Sequence, residues 1–147
     1  MQNRIFKPAF GKSFFVIWIP TLIVLAAGTV LAALEPTALF IMIPTDLFTL
    51  YFAISPIFGC VELREASVFI KFGLIVKREI PYNKIRAVTK ERKFYSDSMI
   101  SLKNTLEHVN IKYNTFDVTS VSVKDNDEFI SNLEERIKQL KMESAEN

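Results

Sequence analysis

The sequence predicts an α+β protein in two parts. An N-terminal hairpin of two transmembrane helices is followed by a mostly β domain of six or seven strands with a C-terminal amphipathic helix. Three observations carry this. Charge is segregated: Ser13 to Val61 holds only Glu35 and Asp46, whereas Glu62 to Asn147 holds 15 Lys/Arg and 14 Asp/Glu. The apolar pattern changes at that boundary from unbroken runs to the alternation of half-buried strands. Near the C-terminus the apolar residues recur at helical spacing.

Composition removes several function classes. A net charge of +2 over 147 residues is too small for a nucleic-acid binder, which carries a strongly basic domain. The single cysteine, Cys60, excludes an intramolecular disulfide framework and a cysteine-rich zinc site. Its ordinary role is that of a small packed hydrophobe.

Residues 1–12 form a basic N-terminus with Arg4, Lys7 and Lys12. The stretch Ser13 to Leu34 is 22 residues without a charge, enough to cross a hydrocarbon core as a helix. In lipid the backbone must satisfy itself, which requires the helix. Pro20 falls in its second turn and is expected to kink it; Trp18 stands near the interface. A signal peptide is the competing reading. The run exceeds the length of a signal core, and a second apolar run follows at once.

That second run, from about residue 36 to 58 within the hairpin of 13–61, contains Pro44, Asp46 and Pro56. Either one helix spans it with Asp46 near mid-membrane, or a helix starts at Pro44-Thr45-Asp46 and is too short to cross. The full span is preferred, because Leu39 to Ile43 has no reason to lie in water. Asp46 is the candidate intramembrane polar site. Its plainer role is a cap, or a carboxyl bonded to Thr45, Thr49 or the neighbouring helix, since no second intramembrane ionisable group pairs with it.

The link Glu35-Pro36-Thr37 is short, so the helices are antiparallel. Lys and Arg flank the outer ends and are missing from the link, which puts both termini and the β domain in the cytoplasm.

The β domain is expected over 62–142. Val61 to Arg64 alternates, and Glu65-Ala66-Ser67 turns. Val68 to Phe72 is a strand, broken by Gly73 and resumed over Leu74 to Ile80. Pro81 to Ile85 reads as one helical turn or tight loop, and a strand follows from about Arg86 to Lys93. A loop with Ser96, Ser98 and Ser101 precedes the strand Val109 to Tyr113, a turn at Asn114-Thr115, and the strand Phe116 to Lys124. Asp125 with Glu128 starts the last helix in capping-box fashion. Phe129, Ile130, Leu133, Ile137 and Leu140 form its apolar face. Residues 143–147 are expected to be a disordered tail.

The ordered set IKFGLIVKREIPYNKI (Ile70 to Ile85), the serine-bearing loop, Ile111 with Tyr113, and VSVKDNDEFISNL (Val121 to Leu133) resembles the bacterial PH-like domain family, YyaB-like type. Gly73, Ile80, Pro81, Ile85, Ile111, Tyr113, Ser122, Asp125, Phe129 and Leu133 carry the resemblance, which covers about 58 to 140. It implies a strongly bent β-sheet or partly open barrel with a C-terminal helix, and a membrane-anchored bacterial protein. Phosphoinositide-binding PH domains place basic residues at the first hairpin turn. Here that turn is Glu65-Ala66-Ser67, so the eukaryotic headgroup site does not carry over.

The densest basic stretch holds Lys77, Arg78, Lys84, Arg86, Lys90, Arg92 and Lys93, against Glu79 and Glu91. In a domain tethered at the inner leaflet these residues are candidate contacts for anionic lipid or a protein partner. Alternate Lys and Arg on a solvated edge strand is the plainer alternative. His108 is the only histidine and has no evident triad or metal partners. No phosphate loop, dinucleotide fingerprint or zinc spacing occurs, so no catalytic residue, cofactor or metal is assigned.

The expected function is a non-catalytic, membrane-anchored binding module for a protein, peptide or anionic-lipid partner at the bacterial cell membrane. Oligomers are compatible with the hairpin, and a pore would require one. The alternative is an immunity protein protecting against a membrane-active peptide such as a bacteriocin, a reading that rests on layout alone.

Overall fold

The computed structural model of the chain describes residues 3–98 and 101–146. Two long helices come first. α1 spans Lys12–Ala32 and α2 spans Pro36–Ile54, which a 3-10 turn extends to Phe58. Both are long and apolar enough to cross a membrane. At about 1.5 Å per residue, α1 is about 32 Å long, which matches a bilayer core. It buries none of its residues within the protein. That is the state expected of a helix whose solvent is lipid.

α2 runs as one helix through Pro44 and Asp46 instead of starting there, which makes it long enough for the full span. The Thr45 hydroxyl donates to the Ile41 carbonyl at 2.9 Å, and Thr49 does the same to Thr45. α1 likewise runs unbroken through Pro20. The helices approach closely at Gly28, where a Cβ would lie 3.1 Å from the Met42 side chain.

The hairpin is embedded in the domain it carries. Before it, β1 (Arg4–Phe6) pairs antiparallel with β2 (Cys60–Leu63), which begins just after α2 ends. β2 pairs with β3 (Ser67–Lys71), and β3 with β4 (Lys77–Pro81), giving a four-stranded sheet in the order β1-β2-β3-β4. The basic N-terminus thus contributes a strand. The alternation that would reveal it is only three residues long.

A 3-10 turn at Tyr82–Lys84 leads into β5 (Ile85–Arg92), which starts the second sheet with β6 (Glu107–Tyr113) and β7 (Asp117–Val121). The two sheets do not close into a barrel. Between them lie Val61, Leu63, Val68, Ile70 and Ile80 from the first, and Val109, Ile111 and Val121 from the second. The expected strand over 74–80 begins only at Lys77, because Leu74 to Val76 forms the turn after Gly73.

α3 (Asn126–Glu146) covers one side of this core with Phe129 and Leu133, both fully buried. Its start is capped as the sequence predicts: the Asp125 carboxylate accepts the Glu128 N–H at 2.9 Å. Phe6 of β1 meets the Phe129 ring edge-on at 5.2 Å. Arg136, buried, donates to the carbonyls of Leu63 and Arg64 at 3.0 and 2.7 Å, tying α3 to the β2–β3 turn. The backbone is helical through Glu146, where a tail was expected. Residues 142–146 contain neither Gly nor Pro to stop the helix. Asn147 lies outside the described residues.

The domain therefore has two ends. One is the hairpin root: Gly59, Cys60, the β3–β4 turn, and the segments 93–98 and 101–106. The other is the far end: the β2–β3 turn, Tyr82 to Lys84, and the β6–β7 turn.

Candidate functional site

Strand register decides which basic residues share a face and an end. Lys77 stands directly opposite Lys71 across β3–β4, at the hairpin root. No acidic partner of either appears among the described residues. Like charges directly opposed destabilise a strand pair unless something anionic lies between or near them. Lys71 is missing from the sequence-derived candidates because it sits on the preceding strand; only the register brings it to Lys77.

Arg78 points the other way. Its guanidinium reaches across the open seam between the sheets, donating to the Tyr113 hydroxyl at 2.5 Å and to Thr119 Oγ1 at 3.4 Å. It joins the two sheets and is not a free surface cation. Arg86 donates to the carbonyls of Asn114 and Thr115, both at 3.4 Å, in the far-end turn. Lys84 is exposed in the same region. At about 3.3 Å per residue, Arg86 lies about 20 Å along β5 from Arg92. The candidate stretch is therefore not one patch.

Lys90 pairs with both Asp127 oxygens at 2.9 Å and approaches Glu107 at 3.8 Å. The hydrogen bond it donates to Asp127 is the main cause that holds its ammonium pKa above the ordinary range. Lys93 bonds Glu91 at 2.6 Å and Asp97 at 3.5 Å. Its pKa is likewise raised, chiefly by Glu91. Arg92 is exposed near the hairpin root. Of the seven predicted residues, Lys77, Arg92 and Lys93 stand at the hairpin root.

A polar chain, buried at Ser120 and Asn110 and ending at exposed Asp97, supports the loop beside them. Ser120 donates to Asn110 Oδ1 at 2.6 Å, and Asn110 Nδ2 donates to Asp97 at 3.0 Å. Lys103 donates through Nζ to the carbonyls of Lys93 and Tyr95. Burial pushes its pKa down. Sequence reasoning finds none of this, because Asn110 and Ser120 look like the outward residues of alternating strands. His108, also fully buried, donates through Nδ1 to the Leu106 carbonyl at 3.0 Å. Its Nε2 has no hydrogen-bond partner among the described residues.

A cleft of about 210 Å³ separates this loop from the start of α1, lined by Phe14, Ile17, Trp18, Phe94, Lys103 and Asn104 among others. In the hairpin, the Asp46 carboxylate accepts a hydrogen bond from Thr29 of the neighbouring helix. Its other oxygen, Oδ1, is buried without a hydrogen-bond partner among the described residues. Among the described residues, no three His, Cys, Asp or Glu side chains gather as a metal site requires.

Residues 62–137 match the family model of the bacterial PH domain. The chain belongs to the bacterial PH domain family. The match does not distinguish the YyaB-like type within it. No curated protein and no solved structure matches the chain. PH-like domains are in general non-catalytic binding modules. The matched region excludes β1 and both long apolar helices, so this chain's PH domain takes one edge strand from outside the family's segment.

Proposed function

We propose that this protein is a non-catalytic binding module whose PH domain is held at the cytoplasmic face of the bacterial membrane and contacts anionic lipid headgroups there. The observation that carries this reading is the Lys71–Lys77 cross-strand pair at the hairpin root, which lacks an acidic partner among the described residues. The cost of opposing two ammonium groups is offset where a phosphate lies between them. Arg92 and Lys93 extend the same end, and basic groups near an anionic surface contribute about 1 kcal/mol each. Lys84 and Arg86 are too distant to share the contact.

The test is to extract the full-length chain from bacterial membranes together with its surrounding lipid and measure the lipid composition. Enrichment of phosphatidylglycerol or cardiolipin over the bulk membrane is expected. It should fall toward the bulk value in the double variant Lys71→Gln/Lys77→Gln and persist in Lys84→Gln/Arg86→Gln. No enrichment, or equal loss in both variants, would overturn the reading and turn attention to a protein partner. Nothing in the geometry favours the protective role against a peptide.

A further inference from the structure

Two exposed apolar loops flank the root of the hairpin. Leu74-Ile75-Val76 forms the tip of the β3–β4 turn, with Ile75 74% exposed. Three successive apolar side chains at a turn tip run against the polar chemistry that turns in water normally carry. The second loop follows β5 and presents Phe94 and Tyr95, 74% and 63% exposed.

Both loops are fixed against the membrane helices. Gly73 packs on Ser55 at the end of α2, and Phe72 and Val76 line a cavity with Tyr51, Phe52 and Pro56. Phe94 lines the cleft beside Phe14 and Trp18 of α1. Lys103 holds the carbonyls on either side of Phe94, so a braced loop presents the aromatic pair. Lys71, Lys77 and Lys93 lie just behind the two tips. Apolar and aromatic tips backed by lysines are the arrangement of a membrane–water interface, where Trp and Tyr sit at headgroup depth. Phe116, an exposed large apolar residue at the β6–β7 turn, stands at the far end and alone there, as surface hydrophobes often do.

We propose that the Leu74–Val76 and Phe94–Tyr95 loops dock into the interfacial layer of the bilayer that holds the hairpin, on either side of its root. The domain is then held at three points and keeps one face toward the lipid, rather than swinging on its two connections. This rests on the membrane-anchored reading but not on headgroup charge, and the test separates the two.

The full-length chain carrying Cys60→Ala receives one cysteine at a time: Ile75→Cys, Phe94→Cys, Ala66→Cys or Phe116→Cys. Each is labelled with an environment-sensitive fluorophore in nanodiscs of phosphatidylcholine, with and without phosphatidylglycerol, and challenged with lipids bearing a quencher near the headgroup. Labels at 75 and 94 should be quenched several-fold more than those at 66 and 116, in neutral lipid as well as anionic. Docking in neutral lipid carries the inference even where the lysine variants show no charge effect. Equal quenching at all four positions in both lipids overturns it. Amide exchange on the unmodified chain covers the case of a variant that misfolds. Exchange at 74–76 and 94–96 slower than at 115–116 in nanodiscs supports docking, and equal rates contradict it.

Discussion

Gly73 sits so close to Ser55 that a Cβ on the glycine would overlap the serine side chain, and its φ of +156° is one that other residues rarely adopt. This contact joins the β3–β4 hairpin to the end of α2. Gly73→Ala should therefore cost about 1–3 kcal/mol, through backbone strain and overpacking together. Thermal unfolding of the full chain in detergent measures it. Adding Ser55→Gly should recover part of the loss, because it removes the overlapped side chain but leaves the strain.

The β1–β2 pairing makes the segment before the hairpin part of the domain's core. Phe6 is 9% exposed and packs on Phe129. Phe6→Ala should cost about 3 kcal/mol, in the range of large-to-small core changes. A soluble fragment starting at Cys60 should be less stable than one that also carries residues 3–11 through a linker. Denaturant unfolding of the two fragments checks this, and equal midpoints would mean that β1 is dispensable.

Lys93 and Glu91 set a pH dependence. The hydrogen bond from Lys93, the largest influence, holds the Glu91 carboxyl below its ordinary 4.5, with Asn110 and Thr89 assisting and burial opposing. A depressed acid pKa gives stability that is present above the unfolded value and is lost as pH falls through the folded one. The raised Lys93 pKa works in the opposite sense. Its contribution is present below the ordinary 10.5 and is lost as pH rises through the higher folded value. The pair therefore stabilises the loop between these limits. Glu91→Gln should lower the melting temperature at neutral pH and flatten its decline below 4.5. A melting profile across that range, for both proteins, decides the point.

Much of the fold is legible in the sequence because the hydrophobic period is strong where elements are long. The charge-free run from Ser13, the alternation of Val109, Ile111 and Tyr113, and the Asp125 cap with Phe129 and Leu133 each specify an element unaided. The site is less legible. Contiguity in sequence suggested one basic stretch from Lys77 to Lys93, but β5 carries Arg86 and Arg92 to opposite ends of the domain. Arg78 is drawn into the seam by Tyr113, a partner 35 residues away. Lys71 meets Lys77 only through register, and β1 is too short to show a period. Leu74-Ile75-Val76 has the composition of a strand, and only the break at Gly73, packed on Ser55, makes it a turn. These are long-range facts that no local pattern encodes.

The most direct test of lipid recognition at the hairpin root is vesicle co-sedimentation of the soluble domain that retains β1, across a salt series. The account predicts binding to anionic vesicles that weakens with salt. Lys71→Gln/Lys77→Gln should weaken it by about 2 kcal/mol, roughly 30-fold, while Lys84→Gln/Arg86→Gln leaves it nearly unchanged. No binding at low salt, or equal weakening by the far-end pair, would contradict the claim that this PH domain contacts anionic lipid through its membrane end.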